Sequence, residues 1–168
     1  MRDYICFLLK STNEHGIHSP FLFSFVTKGL YAPQVELKGK NKKVAFLNRV
    51  ITYFQPKTLM YSSAKSKNFA SFPNTTTVSW NNSMLSTVDM FLIDETSTLE
   101  LKEIQALLTK MKNDAFIVLD KRNRSASINT LWETILASDY TTLSVDFYFF
   151  GIAFVRKEQL KQHFRVRL

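Results

Sequence analysis

Residues 58–72 read TLMYSSAKSKNFASF. The β-rich run Thr58–Ser62 predicts a strand, and Lys65–Phe72 predicts a poor helix that Pro73 ends. The turn between them contains no glycine. A strand-to-helix turn that cradles a nucleotide needs glycine, because its backbone must take positive φ and approach the ligand closely. This stretch therefore has the scaffold of a ligand-binding α/β domain without its ligand loop.

Outward from this unit the pattern keeps alternating. Thr75–Trp80 is rich in β-branched residues and predicts a second strand. Val88–Asp94, VDMFLID, and Ala115–Asp120, AFIVLD, are continuous apolar runs of the kind buried in parallel sheets, each ending in aspartate. Helices are expected over Thr98–Lys112 and Ser127–Ser138, with apolar residues recurring on one face. Thr141–Arg156 reads as two β-rich runs meeting near Phe149, Phe150 and Gly151, an antiparallel hairpin expected at the sheet edge. Upstream, Val44–Phe54 is amphipathic, with Phe46, Leu47, Val50, Ile51 and Phe54 inward and Pro56 as its stop. Residues 32–43 hold Pro33, Gly39 and four lysines and read as a linker.

Before the linker lies a helical leader, residues 1–31. A short apolar helix over 4–10 precedes HGIHSPFLFSFVTKGLY, in which Ser19 is an N-cap, Pro20 a first helical residue and Gly29 a C-terminal closure. Strands alternating with helices over 44–168 imply an α/β sandwich with a mostly parallel sheet.

With 168 residues, 45% of them apolar and fifteen phenylalanines, the chain is long and apolar enough for one packed domain and is not disordered. No apolar run approaches the roughly 20 residues of a membrane-spanning helix, and the start lacks a small-residue cleavage site, so a cytoplasmic protein is expected. Cys6, alone and set among Ile5, Phe7 and Leu8, reads as a buried apolar filler. The net charge of +8 fits a basic surface or an anionic partner such as RNA or DNA. Basic residues gather at Lys38, Lys40, Lys42 and Lys43, at Lys121, Arg122 and Arg124, and at Arg156, Lys157, Lys161, Arg165 and Arg167, outside any nucleic-acid motif.

The two strand-end aspartates and the terminal hairpin resemble a class I S-adenosylmethionine-dependent methyltransferase. STNEHGIHSPFLFSFVTK resembles the leader of a bacterial family of such proteins, LNRVITYFQPKTLM its pre-strand helix and first strand, and FYFFGIAFVRKEQLKQHFRVRL its closing hairpin and tail. The resemblance implies a Rossmann-like methyltransferase sandwich, with S-adenosylmethionine over the loop after the first strand. The family loop reads E-x-G-x-x-x-G; the corresponding residues here are Met60, Ser62 and Ser66. Lys65 and Lys67 add positive charge where the cofactor brings a sulfonium. The acidic residue that should hold the ribose is absent from Ser79-Trp80-Asn81-Asn82, where Trp80 either stacks on an adenine or packs in the core.

Between the second strand and VDMFLID only Asn81–Thr87 intervene, seven residues against the roughly 10–12 of a helical crossover. One edge strand and its flanking helices are expected to be missing. The second strand is then an edge, either antiparallel or protected by dimerisation.

Asp94 and Asp120 are candidates for a divalent cation or for catalysis at the carboxyl end of the sheet. Lys121 and Arg122, following Asp120, suit an ion pair better than a metal. His15 and His18, with Glu14 in EHGIHSP, could ligate or move protons, but a turn between two helices accounts for them. His163 reads as a surface residue. The expectation is a degenerate methyltransferase-like protein without S-adenosylmethionine, serving as an interaction or regulatory domain with a protein partner or a second copy of itself. The alternatives are an active methyltransferase with an atypical pocket and a nucleic-acid-binding protein.

Overall fold

The computed structural model describes residues 2–33, 41–63, 75–80, 87–95, 97 and 99–168. The expected helix over Lys65–Phe72 lies outside them. One seven-stranded mixed sheet runs through the chain: β1 (Thr58–Tyr61), β2 (Thr76–Ser79), β3 (Val88–Ile93), β4 (Met111–Asp120), β5 (Leu143–Asp146), β6 (Phe150–Phe154) and β7 (Gln162–Arg165). Their order is β2-β1-β3-β4-β6-β5-β7. The first four are mutually parallel. Among the described strands only β6 is antiparallel to its neighbours, and β7 lies parallel to β5.

The continuous apolar strands are explained by cover on both faces. In β3, Met90 and Leu92 point into one core while Phe91 and Ile93 point into the other; β4 repeats this with Phe116 and Val118 against Ile117 and Leu119. Helix α3 (Lys42–Phe54) and the leader cover the first face. Helices α4 (Leu101–Lys110) and α5 (Ala126–Ala137) cover the second. Because successive strand side chains alternate faces and both faces are covered, these central stretches are apolar at every position.

Local sequence sets most element ends. In the leader, α1 spans Arg2–Lys10 and α2 spans Pro20–Ser24, with the Leu22 N–H donating to the Ser19 side chain as a cap. Gly29 does not close α2 as the sequence suggested. The helix continues through a π-helical turn, Phe25–Leu30, in which the Tyr31 N–H reaches back to the Val26 carbonyl at 2.9 Å. At Gly29 an added Cβ would lie 3.0–3.1 Å from the Phe25 and Tyr53 rings, so the glycine lets these rings pack close to the turn. Asn41 caps α3, and Gln55, at φ 48°, ends it. Helix α4 stops two residues short of expectation because Met111 already turns into β4. Two steps along β3 then answer five along β4, a bulge that carries Asp114 at φ 66°.

The leader and the tail are built into the sheet domain. Phe21, Phe25 and Phe54 pack with Phe116 and Phe154 at ring-centroid distances of 4.7–5.8 Å. Arg49 donates to the Leu30 and Ala32 carbonyls and fastens the leader's end to α3. Thr12 exchanges backbone hydrogen bonds with the tail, donating to Arg165 at 2.8 Å and accepting from Arg167 at 3.1 Å. The C-terminal hairpin is consequently not at the sheet edge, as the sequence suggested. The tail adds β7 outside it, and β7, with Gln162, His163 and Arg165 exposed, makes a poor template for further pairing. At the other end β2 is the outermost of the described strands, and it is parallel to β1, which excludes the antiparallel alternative.

Cys6 is exposed, which overturns its reading as core filler. Helix α1 turns Phe7 toward Tyr148 and leaves Tyr4, Ile5 and Leu9 exposed as well, so an apolar neighbourhood in sequence was not a buried one in space. No helix among the described residues is long and apolar enough to cross a membrane.

Strand β6 meets α5 at Gly151, where an added Cβ would lie 2.7–2.9 Å from the buried Trp132 ring. Gly151→Ala is expected to lower stability by about 1–3 kcal/mol through overpacking. Urea unfolding followed by tryptophan fluorescence measures it, and an unchanged midpoint would show that the ring can move aside.

Candidate functional site

In an open α/β sheet, ligands gather beyond the carboxyl ends of the parallel strands. Here that region is formed by the ends of β1, β2, β3 and β4, which bring Met60, Ser62, Ser63, Trp80, Asp94 and Asp120 to the same end of the sheet. Ser66 lies outside the described residues. Met60 is buried in the core shared with α4 and α5. The Ser62 N–H donates to the Leu92 carbonyl at 3.0 Å, and the Ser62 hydroxyl accepts from the Asp94 N–H at 3.3 Å. These bonds continue the β1–β3 ladder past the strand ends.

Asp94 is buried, and the Ser63 hydroxyl donates to its carboxylate. Trp80 is half-buried. Its ring meets Phe91 at 5.7 Å and 67°, and its indole N–H donates to Glu103 at 3.2 Å. Hydrogen bonds from the Glu100 N–H and from Trp80 hold the Glu103 carboxyl below the usual carboxylate range. Of the two roles open to Trp80 from the sequence, the packing role is the one its surroundings fit.

Asp120 is the most heavily committed group. Its carboxylate is fully buried and meets the Lys43 ammonium at 2.9 Å, whose own side chain is only 5% exposed. Arg122 forks onto it, Nε to Oδ1 and Nη2 to Oδ2, both at 2.9 Å, and the Arg122 N–H adds a bond of 3.1 Å. Arg122 also reaches Glu95 at 3.3 Å, and these carboxylates hold its guanidinium still more firmly protonated. A bidentate arginine and a buried lysine together neutralise the charge and fill its acceptor positions. Glu95, Asp120, Arg122 and Lys43 thus link the loop after β3, the end of β4 and the start of α3.

The expectation that cations rather than a metal serve Asp120 fits this geometry, but one of the two cations differs. Lys121 turns away and pairs with Asp146 at 2.7 Å. The second cation is Lys43, which sequence reading placed in the linker. Its signal was present: Lys43 stands three, four, seven and eight residues before Phe46, Leu47, Val50 and Ile51, on the buried stripe of α3. Among the described residues no group of three acidic, histidine or cysteine side chains could hold a metal ion.

His15 and His18 are both exposed and are not brought to these strand ends. His15 lies in a 3-10 turn, Glu14–Gly16, beside the Glu14 carboxylate at 3.6 Å. His163 lies on the edge strand β7, its Nδ1 2.9 Å from the Ser144 hydroxyl. The basic clusters separate into different roles. Arg156 pairs with Asp114 and Glu158, and Lys161 donates to the last carbonyls of α5 and its cap. Arg165, far away in sequence, comes to lie beside Lys121 and Arg124.

No family model and no curated protein matches this chain.

Removing one partner of a buried ion pair leaves an uncompensated charge, at a cost of about 3–5 kcal/mol. Lys43→Met is expected to lose stability on that scale, and adding Asp120→Asn to it should return part of the loss. Chemical denaturation of both variants beside the exposed-site control Lys42→Met reads the effect. Equal stability of Lys43→Met and Lys42→Met would show that the pair carries no weight.

Proposed function

We propose that this chain is a shortened relative of the class I S-adenosylmethionine-dependent methyltransferases that has given up methyl transfer and serves as an interaction or regulatory domain. The kinship rests on the leader, first-strand and tail resemblances. It is supported by a parallel half-sheet centred on β1 and β3 whose far side is closed by a single antiparallel strand, β6. In such a sheet the chain's second strand would be followed outward by another; among the described residues β2 is the outermost strand.

One observation carries the loss of activity. The polar groups at the carboxyl ends of β3 and β4 are spent on internal partners, Asp94 on Ser63 and Asp120 on Lys43 and Arg122. A nucleoside cofactor needs acceptors that face the ligand and backbone that can approach it. The glycine-free turn supplies no such approach, and Met60 replaces the strand-end carboxylate with a buried thioether. Trp80 has its N–H on Glu103 and its ring against Phe91, so stacking on adenine would forfeit both contacts. These residues do not fit S-adenosylmethionine, and no reaction step is assigned to it.

The reading predicts no binding heat from S-adenosylmethionine or S-adenosylhomocysteine in calorimetry, and no thermal shift at about 1 mM ligand, where even a complex of roughly −4 kcal/mol would be half formed. A saturable titration in the micromolar range would overturn it and reopen the alternative of an active enzyme with an atypical pocket.

A further inference from the structure

The other half of the sheet holds an arrangement that the methyltransferase reading does not use. β4, β5 and β7 run in the same direction, so Lys121, just after β4, Asp146, ending β5, and Arg165, ending β7, emerge at one end of the sheet. Helix α1 lies over them, contributing Asp3 and Lys10, with Tyr148 and Arg124 closing the wall. Together they bound a cleft of about 220 Å³.

The cleft has a charge imbalance built into it. Four cations and two carboxylates line it, a net charge of +2. Asp146 is already committed, to the Lys121 ammonium at 2.7 Å and to the Tyr148 N–H at 2.7 Å. That pair forms the floor, the Lys121 side chain being only 9% exposed and lying over the Trp132 ring at 5.1 Å. Lys10, Arg124 and Arg165 make no ion pair among the described residues. Arg124 is instead held by its guanidinium stacking on Tyr148 at 4.1 Å. Burial lowers the Lys121 ammonium below its ordinary range, the neighbouring Arg124 and Arg165 lower it further, and Asp146 opposes them. The fold thus holds cations together against their mutual repulsion.

We propose that this cleft binds the phosphate of a small phosphomonoester, with Arg124 and Arg165 as forked donors and Lys10 as the third cation. Guanidinium groups match phosphate oxygens bidentately, and a phosphomonoester carries close to two negative charges near neutral pH, which balances the lining. The cleft is smaller than the roughly 300–1,000 Å³ of sites that enclose drug-sized ligands, so it takes the phosphate and the first atoms of the ester. Tyr4 and Phe149 both pack on Tyr148 while staying 39% and 44% exposed, and they offer an aromatic ledge for the organic part. The site is independent of the degenerate cofactor region, which belongs to the ends of β1 to β3.

Calorimetric titration of the full chain with phenyl phosphate tests this, beside inorganic phosphate and phenyl sulfate, a monoanion of similar shape. Saturable one-to-one binding of phenyl phosphate is expected, with phenyl sulfate weaker by about tenfold or more, since it brings one negative charge to the basic lining where phenyl phosphate brings close to two. Arg124→Gln with Arg165→Gln should weaken phenyl phosphate by at least about tenfold, while Lys157→Gln, outside the cleft, leaves it unchanged. If the double variant melts early, Arg165→Gln alone, on the exposed edge strand, serves and should still lose several-fold. A short thymidine strand with and without a 5′-phosphate separates the sources. Binding that depends on the end phosphate supports the proposal. Binding that ignores it, tightens with length and falls steeply with salt would assign the cleft to a nucleic-acid backbone and overturn it. No saturable heat from phenyl phosphate, or equal binding by the arginine variants, would also overturn it.

Discussion

A carboxylate with no exposure to water must be neutralised where it stands, and Asp120 sets that requirement at the end of the central strand β4. Lys43 meets it from the first turn of α3, and Arg122 from the loop just beyond the strand. Because Arg122 also holds Glu95, the requirement extends to the loop after β3. The start of a helix on one face and two strand-end loops are thereby fixed to one another at the edge where such sheets ordinarily receive ligands. The cluster contributes to the position of these elements and occupies the acceptor positions of Asp120 with internal partners.

The consequence is a sheet whose two halves have different fates. At the ends of β1 to β3 the backbone ladder runs on through Ser62, and the side chains are satisfied internally. At the ends of β4, β5 and β7, Arg124 and Arg165 make no ion pair among the described residues, and neither does Lys10 on the leader helix above them. The leader therefore does more than precede the domain. Its phenylalanines complete one core, Thr12 secures the tail as β7, and α1 roofs the basic cleft. Without that tail Arg165 would not be placed, so the chain's two extremes jointly build one site.

Much of the fold was legible because buried parallel strands leave an unmistakable pattern. VDMFLID and AFIVLD are apolar on both alternating faces since both faces are covered, and the stripe of α3 is read directly from its period. What was lost follows from physics that a linear pattern does not carry. The tail strand QHFR has no apolar alternation because it is an exposed edge, and its pairing partner β5 lies nearly twenty residues upstream. Cys6 looked internal because its neighbours are apolar, yet α1 presents part of that surface outward. Lys43 looked like a linker charge because lysine is seldom buried, although its place on the helical stripe marked it as inward. That Arg165 joins Lys121 and Arg124 depends on strand order, which no spacing in the sequence encodes.

A crystal structure grown in the presence of S-adenosylhomocysteine tests the central claim most directly. Lys43 and Arg122 should both remain on Asp120, Trp80 should remain against Phe91, and no nucleoside should lie beyond the ends of β1 to β3. A nucleoside seated over Ser62 and Ser63, with Trp80 swung away from Phe91 or Asp120 released by Lys43, would contradict it.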